Sequence, residues 1–353
     1  MHQDISLKIN DTALTLEPGA TILETARRHG IFIPTLCHLE HTSPTGACRM
    51  CVVEIRGART LAAACVTPAQ PDMEIYTESP RVIKSRHLNL QLLLASGEHD
   101  CLLCPAAGQC TLQDLAFRYQ VNPKRFAPRK VPHRTEAVNP FILRDFNKCV
   151  LCGRCVQACR QIQVNNAISY AYRGMNTKIA ASGDRPLKDS DCVFCGECLQ
   201  VCPTGALISP DARQRPRIWE TEKVRTTCTF CGVGCQIHIH HKHGLLHRVD
   251  GAPDTPPNYG SLCVKGRFGF EFVHSRKRLR HPLIRESTGF RPAEWDEALD
   301  LVRTRLKTIR DFHGPEKLAL LASARATNEE NYLSQKFARA VLGTNNIDHC
   351  ARL

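Results

Sequence analysis

Eight of the 20 cysteines lie in two runs of identical spacing, C-x2-C-x2-C-x3-C. The first run holds Cys149, Cys152, Cys155 and Cys159, and the second holds Cys192, Cys195, Cys198 and Cys202. Structural zinc sites use paired CxxC motifs and have no use for a third cysteine three residues further on. A chain of 353 residues also needs no disulfides to fold. The duplicated run therefore predicts two iron–sulfur clusters, and zinc or disulfides are the weaker alternatives.

The two runs resemble those of a bacterial two-cluster ferredoxin, in which the fourth cysteine of each run serves the other cluster. The resemblance implies that one [4Fe–4S] cluster, the first cube, is held by Cys149, Cys152, Cys155 and Cys202. The second cube would be held by Cys192, Cys195, Cys198 and Cys159. Gly153 and Gly196 follow the second cysteine of each run, where the backbone must pass close to sulfide. The ferredoxin domain is expected over residues 139–210.

Four further cysteines are spaced C-x10-C-x2-C-x13-C: Cys37, Cys48, Cys51 and Cys65. Before them, residues 5–16 alternate around Asn10-Asp11, which predicts a hairpin, and Thr21 and Glu24 form a helix capping box. These elements resemble the β-grasp plant-type ferredoxin, which holds a [2Fe–2S] cluster. The wide first gap is that of the ferredoxin domain in the complex I large iron–sulfur subunit and its relatives. The domain is expected over residues 1–78; the alternative is a small domain with buried thiols.

The next cysteine pattern is C-x2-C-x5-C: Cys101, Cys104 and Cys110. It resembles the following element of the same family, a [4Fe–4S] cluster held by three cysteines and one histidine. That family has its histidine four residues before the first cysteine, where this chain has Gly97. His99 is the candidate fourth ligand and His87 a distant second; alternatively, His99 is an ordinary surface or core histidine. This small helical domain is expected over residues 79–120.

The last pattern is C-x2-C-x3-C-x27-C: Cys228, Cys231, Cys235 and Cys263. With the VKGRFGFEF sequence that follows, it resembles the N-terminal cluster domain of molybdenum or tungsten bis-pyranopterin guanine dinucleotide oxidoreductases. In that family a lysine two residues after the last cysteine lies between cluster and pterin, and Lys265 occupies this position. Zinc is the alternative, disfavoured by the spacing. The domain is expected over residues 221–277, and its HIHHKHG segment at 238–244 is predicted to be an exposed strand.

Residues 278–353 predict the start of an α/β layer. Apolar periodicity over 292–312 predicts a helix with Pro292 in its first turn, followed by a buried parallel strand at 318–321 and a second capped helix. Residues 121–140 are predicted to be a proline-rich linker. The predicted fold class is thus α+β multidomain: a β-grasp [2Fe–2S] ferredoxin, a small helical [4Fe–4S] domain, a 2[4Fe–4S] ferredoxin domain and the truncated start of an α/β molybdopterin oxidoreductase domain.

The formal net charge is +13. That count treats cysteine as neutral, whereas five clusters with their thiolate ligands would contribute roughly −9. Because no nucleic-acid-binding motif accompanies the basic residues, nucleic acid is not expected as a partner. The N-terminal sequence lacks an apolar signal region, and no apolar stretch approaches ~20 residues. No direct membrane span and a cytoplasmic location are therefore expected.

The C-terminal sequence GTNNIDHCARL resembles the formate dehydrogenase catalytic subunit. In that family the segment leads to the cysteine or selenocysteine that ligates the catalytic metal, which would be position 354. We therefore expect no catalytic residue within the chain, and hypothesise that position 354 is a selenocysteine whose codon was taken as a stop. The alternative is an arbitrary fragment. Cys350 would be a neighbour of the active site.

This resemblance implies interconversion of formate and carbon dioxide at molybdenum or tungsten held by a bis-pyranopterin guanine dinucleotide. Formate oxidation releases two electrons, whereas iron–sulfur centres pass one at a time. One [2Fe–2S] and four [4Fe–4S] centres would relay them to a flavin- and NAD-binding diaphorase-type subunit or another carrier. The expected order runs from the pterin past Lys265 to the Cys228 cluster, the ferredoxin pair, the three-cysteine centre and the [2Fe–2S] centre. The chain alone should carry this wiring without turnover.

Three other functions fit parts of the pattern. A complex I iron–sulfur subunit shares the front modules, but the GTNNIDHCARL ending argues against it. An iron-only hydrogenase would need its hydrogen-activating cysteines where the Cys228 quartet stands. A non-enzymatic electron-transfer adaptor would bind iron and be stable at this length. Molybdenum versus tungsten and the terminal acceptor stay open alternatives.

Overall fold

The computed structural model describes residues 5–121, 126–127 and 131–350. The chain divides into two compact units, residues 1–221 and 222–353. Both units mix helices with strands, in keeping with the predicted α+β class.

The first unit begins with a five-stranded sheet in the order β2-β1-β5-β3-β4. Its strands are β1 (Ile5–Ile9), β2 (Thr12–Leu16), β3 (Val52–Ile55), β4 (Ala62–Ala63) and β5 (Glu74–Tyr76). The β1–β2 hairpin turns at Asn10 and Asp11, both with positive φ, as predicted. β1 runs parallel to β5, and the other pairings are antiparallel.

Helix α1 (Ile22–Arg28) covers this sheet. It begins at the predicted capping box, because the Thr21 hydroxyl accepts from the Glu24 N–H and the Glu24 carboxylate accepts from the Thr21 N–H. Its buried residues join those of β1, β3 and β5 in one core that also contains Cys51 and Cys65. The cysteine loop therefore rests on a rigid layer.

Two helices follow, α2 (Pro80–Ala95) and α3 (Thr111–Arg118). Arg86 of α2 is fully buried and donates to the carbonyls of Met50 and Val52 at 3.1 and 2.9 Å, on either side of Cys51. Its other hydrogen bonds go to Glu78 and Tyr119. A buried charge needs such full satisfaction, and it joins α2 to the cysteine loop of the sheet.

The ferredoxin domain closes with the antiparallel pair β6 (Leu143–Arg144) and β9 (Leu207–Ile208). Between them lie α4 (Arg154–Gln157), which continues as a π-helix at Ala158–Ile162, the hairpin of β7 (Ile168–Ala171) and β8 (Lys178–Ala181), and α5 (Glu197–Val201). Each short helix begins directly after the glycine of a cysteine run.

The second unit contains a three-stranded antiparallel sheet and an α/β segment. Its elements are β10 (Glu222–Thr227), β11 (Gln236–Lys242), β12 (Leu245–Gly251), α6 (Val264–Phe268), β13 (Leu283–Glu286), β14 (Gly289–Pro292), α7 (Trp295–His313), β15 (Leu320–Ser323), α8 (Asn328–Phe337) and β16 (Ile347–Cys350). β15 pairs with β16 in parallel, as the predicted α/β start requires. None of the described helices combines the length and apolar character that a bilayer crossing requires.

Three local predictions are wrong. The strand expected to be buried at 318–321 is β15 (Leu320–Ser323), and its Leu321 is 85% exposed. Pro292 ends strand β14, paired with Leu283, and α7 starts three residues later after the Glu294 cap. Strand β11 is not simply exposed, because His240 is buried and its Nε2 lies 3.1 Å from the Asp250 carboxylate. Parts of the predicted linker, residues 122–125 and 128–130, lie outside the described residues.

Candidate metal centres

The two cysteine runs of the ferredoxin domain have the same backbone conformation. Leu151 and Phe194, each between the first two cysteines, have φ of 53° and 52°, and Gly153 and Gly196 have φ of 77° and 73°. As a result, the N–H groups of Leu151 and Phe194 both lie 3.4 Å from a sulfur, that of Cys149 and of Cys192 respectively. Backbone donors of this kind stabilise thiolate.

All eight cysteines of these runs line one enclosed cavity of about 60 Å³. Burial, and then neighbouring thiols, raise the pKa of Cys152, Cys155, Cys192 and Cys198. Cys202 is a neighbour of Cys152 and Cys155, whereas Cys159 is a neighbour of Cys192 and Cys198. The structure thus brings the eight cysteines together, and their division into the crossed sets that the ferredoxin resemblance implies stays a prediction. Iron ligation by them stays a prediction.

The cavity suits a cationic cluster and disfavours a single metal ion. Burial raises the pKa of Cys152 to about 12, because crowded thiolates are poorly solvated and repel one another. Iron supplies the positive charge that such a thiolate set lacks. No three His, Cys, Asp or Glu side chains within residues 5–121, 126–127 and 131–350 converge on a mononuclear site. Eight cysteines at one cavity are more sulfur ligands than a single zinc ion takes, so the site fits clusters better than zinc.

The four cysteines predicted for the [2Fe–2S] cluster lie in two close pairs. Cys51 Sγ is 3.3 Å from Cys65 Sγ, and the Cys48 N–H lies 3.5 Å from Cys37 Sγ. Hydrogen bonding within each pair lowers the pKa of Cys37, to about 5, and that of Cys65, while it raises the pKa of Cys48 and Cys51. Each pair thus combines one thiol with a lowered pKa and one with a raised pKa. Two pairs of thiols are what a two-iron cluster needs, since each iron takes two thiolates.

The three-cysteine loop packs against the segment that follows Cys202. Cys110 Sγ lies 3.5 Å from the Pro203 carbonyl, and Lys148 Nζ lies 4.0 Å from Cys104 Sγ. A Cβ at Gly205 would lie 2.7 Å from Cys104 Sγ, so this glycine permits the close approach. Sequence spacing did not single out Lys148 or Gly205, although both flank cysteines of the first cube.

His99 lies where a side chain at position 97 would begin. A Cβ on Gly97 would collide with the Asn147 carbonyl, and the same point lies 3.2 Å from His99 Nε2. The family's histidine therefore cannot occupy position 97 in this backbone, and the ring of His99 fills that space. His87 instead packs edge-on against Tyr119, with ring centroids 6.1 Å apart. Neither contact tests ligation, so His99 stays the predicted fourth ligand and His87 the second candidate.

In the second unit, cysteines of the quartet pack beside the three-stranded sheet of β10, β11 and β12. The Cys228 N–H donates to the Cys235 carbonyl at 2.8 Å, and Cys228 packs with Ile237, Val249 and Leu262. Burial, and then the other cysteines of the quartet, raise the pKa of Cys228 and Cys235. Cys263 caps helix α6, on which Lys265 is exposed. The four cysteines thus lie near one another, and Lys265 is exposed on the helix that follows Cys263.

Five family models match successive parts of the chain. They are the 2Fe-2S iron-sulfur cluster binding domain (residues 2–80), the NADH-ubiquinone oxidoreductase-G iron-sulfur binding region (86–125), the 4Fe-4S dicluster domain (148–206), the molybdopterin oxidoreductase Fe4S4 domain (221–275) and the molybdopterin oxidoreductase domain (278–353). The chain has the domains of an iron–sulfur molybdopterin oxidoreductase. The predicted fold class is confirmed.

Several curated relatives are similar over almost the whole chain. The NADPH-Fe(3+) oxidoreductase subunit alpha of Geobacter sulfurreducens is 38% identical, and an NADH-quinone oxidoreductase subunit of Rhizobium meliloti is 37% identical, each over 99% of this chain. YrhE of Bacillus subtilis, provisionally named a formate dehydrogenase, is 33% identical over 99% of this chain. The chain spans about 40% of the length of each of these relatives.

A solved structure supports the same assignment for part of the chain. A chain of an NAD+-reducing [NiFe]-hydrogenase in the H2-reduced state matches with a TM-score of 0.55 and 32% identity, over 59% of this chain and 88% of that one. Relatives named for NADPH or NADH chemistry are thus at least as similar as those named for formate. The comparisons show the domains of a molybdopterin oxidoreductase, and the formate assignment is a proposal.

Proposed function

We propose that this chain is the electron-relay portion of a formate dehydrogenase catalytic subunit, linked to NAD through a flavin-containing partner. The observation that carries the relay is the single cavity lined by all eight cysteines of the two runs. Such a site has no evident use in binding a substrate, whereas it suits paired clusters. When bound, iron–sulfur clusters accept and release single electrons.

The residues that would hold these groups follow from the cysteine groups. The first cube would be held by Cys149, Cys152, Cys155 and Cys202, and the second by Cys192, Cys195, Cys198 and Cys159. Cys37 with Cys48 and Cys51 with Cys65 would each hold one iron of a [2Fe–2S] cluster. Two further [4Fe–4S] clusters would be held by Cys101, Cys104, Cys110 and His99, and by Cys228, Cys231, Cys235 and Cys263. The protein supplies ligand placement, backbone donors to sulfur and exclusion of water.

The contacts favour a branched order over the linear one expected from the sequence. The three-cysteine loop touches Pro203 and Gly205, directly after Cys202 of the first cube. On another side, Cys48 of the [2Fe–2S] group lines a cavity of about 590 Å³ together with Cys149 and Cys152. Both groups therefore adjoin the first cube, which we place at the junction of the relay.

Formate as the substrate rests on the resemblance of the C-terminal sequence to formate dehydrogenases. Lys265 would lie between the Cys228 cluster and a molybdenum or tungsten bis-pyranopterin guanine dinucleotide held by the longer protein. The relatives named for NADPH and NADH support a nicotinamide-linked partner. The cytoplasm suits a protein whose function needs reduced thiols. The comparisons do not support a selenocysteine after Leu353, which is not part of the proposal.

A second candidate is an NAD(P)H-linked oxidoreductase subunit without formate chemistry, favoured by the 37–38% identity to two such subunits. Anaerobic addition of formate, or of NADPH with the partner subunit, to the full-length protein distinguishes the two. We expect formate to bleach the cluster absorbance and NAD+ to restore it. If iron and acid-labile sulfide are present but formate leaves the absorbance unchanged while NADPH bleaches it, the second candidate holds.

A further inference from the structure

The loop between Cys37 and Cys48 is hydrogen-bonded to helix α4, which contains Cys155, and to the π-helix that continues it. The Gln157 Nε2 donates to the Ser43 carbonyl at 3.1 Å, and the Thr42 hydroxyl lies 3.1 Å from Gln157 Oε1. One turn further along, Gln161 Oε1 accepts from the Ser43 N–H at 2.8 Å. Two adjacent loop residues are therefore held by two glutamines of one helix.

Gln157 makes the central contact. Its side chain is buried, although glutamine usually lies on the surface. The Ser43 carbonyl can only accept, so the amide NH2 faces Ser43 and Oε1 faces Thr42. The Thr42 hydroxyl also lies 2.8 Å from the Leu39 carbonyl, so its single proton is shared between two acceptors. A side chain with both a donor and an acceptor at this depth is needed to satisfy the contact.

The position of Gln157 along the chain links this contact to both metal centres. It lies two residues after Cys155, which belongs to the first cube, and its partners lie within the loop bounded by Cys37 and Cys48. The second run has Gln200 at the corresponding position, two residues after Cys198. The hydrogen bonds of Thr42 and Ser43 to glutamine side chains described above go to Gln157 in the first run and to Gln161, two residues beyond that run. The duplicated sequence thus provides an internal control.

We propose that Gln157 is a positioning residue that fixes the [2Fe–2S] loop against the helix of the first cube, and so sets the rate at which an electron passes between these two centres. The inference rests on the proposed function as an electron relay. Each transfer oxidises one centre by one electron and reduces the other by one, with no proton or leaving group involved. The carboxamide acts by holding the distance, and it does not touch a cluster.

The test compares Gln157→Ala with Gln200→Ala in the whole chain, loaded anaerobically with iron and sulfide and reduced with dithionite. The readouts are iron content, unfolding temperature, and the broadening of the [2Fe–2S] electron paramagnetic resonance signal by the neighbouring reduced cube. We expect Gln157→Ala to retain its iron, to lose most of this broadening, and to exchange electrons between the two centres severalfold more slowly after rapid partial reduction. Gln200→Ala should keep the broadening and the exchange rate of the parent chain, whatever its unfolding temperature.

Each outcome decides the proposal. Unchanged broadening and exchange rate in Gln157→Ala, or equal losses in Gln200→Ala, would overturn it. If Gln157→Ala fails to load iron, the Thr42→Val/Gln161→Ala variant decides, because it weakens the same contact from the other partners and leaves Gln157 in place. Reduced broadening with full iron content in that variant supports the proposal, and parent-like broadening overturns it. A parent chain that binds no iron would instead refute the relay itself.

Discussion

The first cysteine run, residues 149–159, and the second, 192–202, place their sulfurs with the same backbone conformation and surround them with opposite charges. The φ angles of their left-handed residues match to within a few degrees, and both N–H to sulfur distances are 3.4 Å. Directly after the glycine, however, the first run has Arg154 and the second has Glu197. Cysteine spacing therefore determines where the thiolates lie, whereas the intervening residues are free to set the local potential.

The opposite charges should make the two cubes differ in reduction potential. Arg154 acts to lower the pKa of Cys152, against the larger effect of burial, so its charge reaches the first set of thiols. Glu197 is buried, beside Cys198. The other charged pair near the second run, Arg144 and Glu136, is bridged at 2.5 Å and largely cancels. Added electrons should therefore favour the first cube, which adjoins the two other centres of this unit.

The largest effect is expected when one predicted ligand cysteine is replaced in each run in turn. Cys155→Ser should cost about four iron atoms and remove the broadening of the [2Fe–2S] signal, because the first cube is its neighbour. Cys198→Ser should lose a similar amount of iron and keep the broadening. Iron analysis with electron paramagnetic resonance measures both. Equal loss of broadening in the two variants would contradict the junction role of the first cube.

The next effect tests the charges directly. An elementary charge about 8–16 Å away, in an effective dielectric near 20, is worth roughly 1–2 kcal/mol, or about 45–90 mV for one electron. Glu197→Gln should raise the potential of the second cube by about this amount, and Arg154→Gln should lower that of the first. Redox titration followed by electron paramagnetic resonance measures both shifts.

A matched control exists for the charge prediction. Arg160 follows Cys159 and is exposed, so Arg160→Gln changes the same formal charge in bulk solvent. Solvent screening should keep the potential shift caused by Arg160→Gln well below the shift caused by Arg154→Gln. The double exchange Arg154→Glu/Glu197→Arg should reverse the order of the two potentials. An unchanged order would show that solvent access or backbone donors, and not these two side chains, distinguish the cubes.

Spacing predicted that both runs fold alike, because each run is local and the glycines fix its conformation; the crossed sets came from the ferredoxin resemblance. The hairpin at Asn10-Asp11 and the capping box at Thr21 were predictable for the same reason. Gln157 was not, since its partners Thr42 and Ser43 are distant in sequence and meet it only through the packing of two domains. His99 was a candidate by elimination, and the collision of a Cβ at position 97 with Asn147 supplies the missing physical reason.

A smaller effect concerns the glycines that the two runs share. Both have left-handed φ, so Gly153→Ala and Gly196→Ala should each cost about 1–2 kcal/mol of unfolding free energy. At position 153 a Cβ would also collide with the Tyr170 hydroxyl, so Gly153→Ala should cost more than the backbone strain alone. Denaturant unfolding measures the difference. Adding Tyr170→Phe should recover part of the unfolding free energy lost in Gly153→Ala and none of that lost in Gly196→Ala. Equal recovery in both variants would show that the Tyr170 hydroxyl does not distinguish the two glycines.

The smallest expected effect belongs to Tyr170, which covers the loop of the first cube. Its hydroxyl donates to the Leu151 carbonyl at 3.2 Å, and burial, with nearby thiols, raises its pKa to about 12, so it stays protonated. The ring is 47% exposed, which places this hydrogen bond near the lower end of the usual range, about 0.5 kcal/mol. Tyr170→Phe removes no formal charge, so it should shift the potential of the first cube by less than Arg154→Gln does in the same titration. A shift as large as that of Arg154→Gln would mean that the hydroxyl sets the potential, and the charge contrast between the runs would lose its basis.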